Sequence, residues 1–142
     1  ADWSCAVEQI RSEMSIGKLA YFGLSMGSLF GVPFVASRSD VSVAALGLMG
    51  VQPDFPHGET LLKAAALIEC PIVFLMQLED ELFSRQGCLD IFDAFASKDK
   101  RLHANPGLHP EVPEEEIDFT FNFMLAHING TETKKIVNII SD

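Results

Sequence analysis

The stretch Leu19-Ala-Tyr-Phe-Gly-Leu-Ser-Met-Gly-Ser28 decides the fold of this 142-residue chain. Its apolar beginning is typical of a short buried strand, and a nearly all-apolar helical segment follows it as far as Ala36. Between them stands the pattern G-x-S-x-G, formed by Gly23, Ser25 and Gly27. Such a turn strains the serine backbone, and we expect glycine on both sides so that strand and helix can approach closely. The pattern therefore predicts a strand, a sharp turn and a helix, with the Ser25 hydroxyl held out at the sheet edge.

The composition predicts one globular domain and argues against several classes of partner. Hydrophobic residues make up 48% of the chain and charged residues 21%, which is enough apolar material for a sizeable core. The formal net charge is -10 and no basic cluster offsets it, so nucleic acids and anionic membrane surfaces are unfavourable partners.

The cysteines and the apolar runs bear on cofactors and on location. Three widely spaced cysteines, at positions 5, 70 and 88, support neither a disulfide framework nor a zinc site. No run reaches the roughly 18 uncharged residues of a membrane-spanning helix, and the sequence shows no basic-then-apolar export signal. These features predict a cytoplasmic protein.

Apolar segments alternate between strand-like and helix-like patterns. The strand-like runs are continuous rather than alternating, as expected of strands that are covered on both faces of a parallel sheet. The predicted strands are Leu19–Phe22, Val41–Leu48, Pro71–Met76 and Lys100–Ala104. The predicted helices are Asp2–Met14, Ser25–Ala36, Glu59–Ile68, Ser84–Phe95 and a last one that opens at Pro113. This order predicts an α/β fold with a parallel sheet of about four strands and helices on both faces.

Apolar residues at helical spacing predict one buried face on the first helix and one on the last. In the first helix the predicted face consists of Trp3, Val7, Ile10 and Met14. In the last helix it consists of Ile117, Phe121, Met124, Leu125 and Ile128.

Candidate catalytic residues follow the later strands. A serine hydroxyl is a poor nucleophile near neutral pH, so Ser25 would need a base and a carboxylate that orients the base. The third predicted strand runs out into Glu79, Asp80 and Glu81, and the fourth runs out into a loop that ends at His109. The carboxyl ends of parallel strands meet at one edge of the sheet, where ligands of open α/β sheets bind. We therefore expect a serine, a carboxylate and a histidine to meet there.

Three segments give the chain a resemblance to a known family. They are Gly-Leu-Ser-Met-Gly at 23–27, Gln-Leu-Glu-Asp-Glu-Leu-Phe at 77–83 and Lys-Arg-Leu-His-Ala-Asn-Pro-Gly-Leu-His at 100–109. With them, most of residues 2–129 resembles the α/β-hydrolase superfamily, and more narrowly its dienelactone-hydrolase-like and small serine esterase branch. The resemblance implies a serine hydrolase that cleaves a carboxylic ester, thioester or lactone through an acyl-enzyme, without a metal or an organic cofactor. Its expected partner is a small-molecule, ester-like substrate.

The resemblance also implies a role for each site residue. Ser25 would be the nucleophile, Asp80 the orienting acid and His109 the general base. The backbone N–H of Met26 would donate to the oxyanion, because in this family the residue after the nucleophile supplies that bond.

Neighbouring residues of the same types have simpler interpretations. Asp80 matches the acid position of the family, so Glu79 and Glu81 are interpreted as solvated loop carboxylates. His103 would lie within the last strand as a packing or surface residue, and we therefore prefer His109, in the loop that follows the strand.

The chain departs from the family at its amino-terminal end. A complete member has about four strands before the one that leads to the nucleophile, yet 24 residues precede Ser25. We expect residues 1–130 to form the carboxy-terminal portion of such a domain and residues 131–142 to form a tail. The missing half would include the loop that supplies the second oxyanion donor.

A partial sheet should leave surface uncovered. We expect an unpaired edge at Leu19–Phe22 and exposed apolar surface, shielded by a second copy in a homodimer, by a separate amino-terminal chain or by the tail Thr131–Asp142. The alternative function is a non-catalytic or partner-dependent fragment that acts as an interaction module.

Overall fold

Strands and helices alternate along the chain in a computed structural model, which describes residues 2–131. The strands are β1 (Leu19–Leu24), β2 (Val41–Gly47), β3 (Ile72–Gln77) and β4 (Lys100–Asn105). The helices are α1 (Asp2–Glu13), α2 (Met26–Ala36), α3 (Gly58–Ala65), α4 (Arg85–Ala94) and α5 (Glu114–Asn129). All nine predicted elements are present with bounds shifted by a few residues. The predicted tail, apart from Thr131, lies outside the described residues.

The sheet is parallel throughout and its strands follow the order β1-β2-β3-β4. The predicted fold class is therefore confirmed. Because all four strands are parallel, every turn that follows a strand lies at the same edge of the sheet. Within residues 2–131, β1 pairs on one side only, as expected for Leu19–Phe22.

The central strands are buried on both faces, which explains their continuous apolar sequence. All six residues of β3 are buried. Ile72, Phe74 and Met76 belong to the core shared with α2, α3 and α4. Val73 and Leu75 point to the other face, where α5 covers them.

Helix α5 turns a different face to the sheet from the one predicted. Of the predicted stripe only Met124 is buried, while Phe121 and Leu125 are 47% and 53% exposed. The buried residues of the helix are Thr120, Phe123 and Met124. Apolar residues surround most of this helix, so the spacing alone could not decide which of them would face the sheet.

Two histidine–carboxylate pairs fix the rotation of α5. Near its start, Glu116 Oε2 lies 2.6 Å from Nδ1 of His103 in β4. Near its end, His127 Nε2 lies 3.2 Å from Oδ2 of Asp99, just before β4. These partners are far apart in sequence, so helical periodicity contains no information about them.

The predicted buried face of α1 is also wrong. Trp3, Ile10 and Met14 are exposed and Val7 is half-buried. The helix contacts the domain through the Trp3 ring, which lies 5.9 Å from the Tyr21 ring. It is also held by ion pairs, one of them between Arg11 and Asp40 at 2.8 Å. The amphipathic spacing correctly predicted the helix. It could not indicate whether the rest of the protein has a surface that covers the apolar face of α1.

No helix within residues 2–131 has both the length and the apolar character needed to cross a bilayer.

The observed face of α5 can be tested by truncating two adjacent residues. We expect Met124→Ala to lower the free energy of unfolding by about 2–5 kcal/mol, because it leaves a cavity against the sheet. Leu125→Ala should change it by less than about 0.5 kcal/mol, since that side chain is exposed. Urea unfolding followed by circular dichroism measures both, and the reverse ranking would contradict the observed orientation of α5.

Candidate active site

Ser25 occupies the turn between β1 and α2 in a strained conformation. Its φ of 54° and ψ of -118° lie in a region that residues with a side chain rarely adopt. Backbone bonds hold it there: the Ser25 N–H donates to the Gly47 carbonyl at 2.9 Å, and the Leu29 N–H donates to the Ser25 carbonyl at 3.0 Å. The strain is therefore stabilised by the adjacent strand β2 and by the first turn of α2.

The two glycines of the pattern differ in what they contribute. A Cβ at Gly23 would lie 2.8 Å from the Gly27 carbonyl oxygen and 2.9 Å from the Tyr21 ring. The expected close approach is therefore present at Gly23. At Gly27 a Cβ would meet no described atom within 4 Å, so the expectation of a steric need for glycine there is wrong. The contribution of Gly27 is its carbonyl, which accepts a 2.7 Å bond from the Tyr21 hydroxyl.

A buried serine ties the turn to the sheet. Ser28 Oγ lies 2.7 Å from the carbonyl oxygens of Gly23 and Gly47 and accepts the Gly47 N–H at 2.7 Å. Ser28 is not among the site residues predicted from the sequence. The available signal was a single hydroxyl in an otherwise apolar helix, one turn after the candidate nucleophile.

The structure brings Ser25, Asp80 and His109 into one hydrogen-bonded chain. His109 Nε2 lies 2.8 Å from Ser25 Oγ, and His109 Nδ1 lies 2.8 Å from Asp80 Oδ2. A carboxylate only accepts, so Nδ1 carries the proton of the neutral ring and Nε2 accepts from the serine hydroxyl. The other candidate, His103, pairs with Glu116 instead.

The Asp80 carboxylate is held on both of its oxygens. Oδ1 accepts the backbone N–H groups of Leu82 at 2.8 Å and Phe83 at 3.0 Å, which leaves Oδ2 for His109. The Asp80 side chain is 1% exposed and that of His109 is 12% exposed. Burial with full hydrogen bonding fixes the direction in which the carboxylate points.

Glu79 and Glu81 are more than the solvated carboxylates that the sequence predicted. Glu79 Oε2 accepts the Gly107 N–H at 2.5 Å, and Glu81 Oε2 accepts the His109 N–H at 2.9 Å. Both residues are exposed, but each carboxylate binds the backbone of the loop that carries the histidine. Nothing in the sequence distinguished this role, because it depends on the neighbouring positions of two strand ends.

Met26 is the first residue of α2. The N–H groups of the first helical turn have no intrahelical acceptor and lie at the positive end of the helix dipole. The Met26 N–H directly follows Ser25, so it is free to donate to an oxygen that gains negative charge beside the serine.

The two glycines allow a matched test of the turn. Gly23→Ala should lower the free energy of unfolding by about 1–3 kcal/mol, because its methyl group would press on the backbone of α2. Gly27→Ala should leave stability unchanged or raise it, since the site is open and alanine favours the helix. Thermal unfolding of the two variants measures this, and equal losses would contradict the assignment.

The Glu81 contact can be tested at a single amide. Glu81→Ala removes the acceptor of the His109 N–H, and we expect this amide to exchange with solvent about tenfold faster, as loss of about 1.4 kcal/mol implies. Glu81→Gln should restore most of the protection, because the amide oxygen still accepts. Hydrogen exchange measured by NMR gives the rates, with Glu115→Ala on α5 as the control; an unchanged His109 rate in Glu81→Ala would rule out the contact.

Several solved structures are similar to the chain. A cold-adapted esterase from an Arctic intertidal metagenomic library is 39% identical, with a TM-score of 0.85 over 90% of this chain and 57% of that one. A Pyrococcus furiosus esterase has a TM-score of 0.72 at 13% identity, covering 89% of this chain and 61% of that one. The Paleococcus ferrophilus monoacylglycerol lipase has a TM-score of 0.65 at 16% identity, covering 87% and 73%.

The three similar structures differ in how much they show about this chain. The two more distant ones, at 13% and 16% identity, show the fold alone. The chain spans only 57% of the Arctic esterase. No protein-family model and no curated protein sequence matches the chain. The narrower resemblance to the dienelactone-hydrolase-like branch stays a prediction. The chain has a partial α/β-hydrolase fold, and the three similar structures described above are two esterases and a lipase of that superfamily.

Proposed function

We propose that the chain carries the nucleophile, the general base and the orienting acid of a carboxylic ester hydrolase. The observation that supports it best is the continuous hydrogen-bonded chain from Ser25 through His109 to Asp80, with both contacts at 2.8 Å. The 39% identity to an esterase over most of the chain supports an ester as the substrate. A thioester or a lactone would react by the same chemistry.

In the first half of the reaction, Ser25 Oγ attacks the carbonyl carbon of the ester while His109 Nε2 takes the hydroxyl proton. Asp80 stabilises the imidazolium that forms and keeps the ring oriented. The tetrahedral intermediate collapses when the bond from carbon to the alcohol oxygen breaks, and His109 gives its proton to that oxygen. The products are the free alcohol and an acyl group on Ser25.

In the second half, water attacks the acyl-enzyme. His109 Nε2 takes a proton from the water, the second tetrahedral intermediate forms, and the Ser25 oxygen leaves as the imidazolium returns the proton to it. The carboxylic acid is released and the free serine is regenerated.

Both intermediates place negative charge on the former carbonyl oxygen. The Met26 N–H would donate to it, and one such donor contributes about 3 kcal/mol to lowering the barrier. In the family the second donor comes from a loop that precedes the nucleophile strand. We therefore propose that full activity requires an amino-terminal half beyond this chain, or an equivalent donor from a partner.

Covalent labelling tests the proposal. A fluorophosphonate should label the folded chain, and Ser25→Ala should abolish the labelling because the reacting oxygen is gone. Ser39→Ala, which removes another surface-exposed hydroxyl, should label like the parent chain. Asp80→Asn should slow labelling by about 10⁴-fold, since the imidazole is then held in the wrong tautomer.

A non-catalytic or partner-dependent interaction module is the second candidate. It is favoured by the 57% coverage of the esterase and by apolar side chains exposed near β1, such as Phe22 and Phe121, whose rings stack at 5.2 Å. Folded protein that the fluorophosphonate does not label would support this candidate. A homodimer seen by light scattering would favour a second copy as the partner, and a monomer would favour a separate amino-terminal chain.

A further inference from the structure

A cavity of about 490 Å³ lies between α2 and α3, and we call it the α2–α3 pocket. The lining of the pocket is formed by two helices and a loop. It includes Phe30 and Pro33 of α2, Thr60 and Ala64 of α3, and Phe55 and His57 of the loop before α3. The walls are mostly apolar, with a few polar groups, and the volume is in the range of small-molecule sites. The chemistry of Ser25, His109 and Asp80 does not itself use this pocket.

The pocket begins one helical turn from the candidate nucleophile. Leu29 lines it, and the Leu29 N–H donates to the Ser25 carbonyl at 3.0 Å. Met26 and Phe30 are four residues apart and therefore lie on one face of α2. Both side chains are exposed, at 67% and 57%. Together they form an apolar track that leads from the serine turn into the pocket.

The opposite wall connects to the histidine. The Phe55 ring lies 5.9 Å from the Phe83 ring, and Phe83 lies 5.8 Å from the His109 ring. Phe83 also donates its backbone N–H to Asp80. Phe83 therefore links the Phe55 wall of the pocket to the His109 ring through two aromatic contacts.

The pocket is separate from the unpaired sheet edge. It lies in an open groove between α2 and α3, which pack against each other, whereas the edge belongs to β1. A second copy of the chain or an additional strand that pairs with β1 would therefore not fill the α2–α3 pocket.

We propose that the α2–α3 pocket binds the apolar acyl chain of the ester substrate, an inference that rests on the proposed function. The leaving alcohol has to lie against His109, which protonates it. The acyl carbon is bonded to Ser25 with its oxygen directed at the Met26 N–H, so the rest of the acyl group follows the track past Phe30. The substrate class is then an ester of an apolar carboxylic acid whose chain is long enough to reach this pocket.

Acyl-chain selectivity tests the inference. We expect a larger kcat/KM for p-nitrophenyl hexanoate than for p-nitrophenyl acetate. Thr60→Trp, at an exposed position on the rim of the pocket, should fill it and lower kcat/KM for the hexanoate by at least about tenfold. The acetate value should change by less than about twofold. Lys63→Trp, exposed on α3 and outside the lining, is the matched control and should leave both values unchanged.

A binding measurement separates this inference from the proposed hydrolysis. In a Ser25→Ala background, titration with methyl hexanoate should show binding that Thr60→Trp removes and Lys63→Trp retains. Binding of this kind, with no fluorophosphonate labelling of Ser25 in the parent chain, would leave the pocket assignment standing and overturn the proposed function. Equal losses on the hexanoate and the acetate, or methyl hexanoate binding that Thr60→Trp does not affect, would overturn the pocket assignment.

Discussion

The hydrogen bond between Ser25 Oγ and His109 Nε2 joins residues 84 positions apart, and the site depends on it. The parallel sheet makes this contact possible, because parallel strands have their carboxyl ends at one edge and bring the following turns together there. Neither side chain is positioned by its own loop alone. Ser25 is held by backbone bonds to β2 and α2, and His109 by contacts with the loop after β3.

Acidic side chains hold His109 and the loop that carries it. Asp80 holds the imidazole, while Glu79 and Glu81 accept backbone N–H groups of the loop that carries it. Glu111 adds a further bond, since its Oε2 accepts the Leu108 N–H at 2.7 Å. Carboxylates suit this task because they accept several N–H groups, and charge-assisted bonds are stronger than neutral ones. A loop without regular structure thereby gains defined positions for its backbone.

Much of the fold could be predicted from the sequence, because continuous apolar strands and the G-x-S-x-G pattern are local signals. The grouping of Ser25, Asp80 and His109 could also be predicted, since each residue follows the carboxyl end of its own strand. The faces of α1 and α5 could not. Their orientation depends on pairs distant in sequence, such as His127 with Asp99, and on whether a surface is present to cover the helix. The roles of Glu79 and Glu81 were hidden for the same reason. The catalytic roles, the tail and the expected partner stay predictions.

The most direct test of the hydrogen-bonded chain of Ser25, His109 and Asp80 is the protonation pattern of His109, measured by NMR on protein with isotope-labelled histidine. We expect the neutral ring to carry its proton on Nδ1, in a slowly exchanging bond to Asp80, and we expect Asp80→Ala to remove this signal. A neutral His109 that carries its proton on Nε2, or that averages between both tautomers as a solvated ring does, would contradict the hydrogen-bonded chain on which the proposed hydrolysis rests.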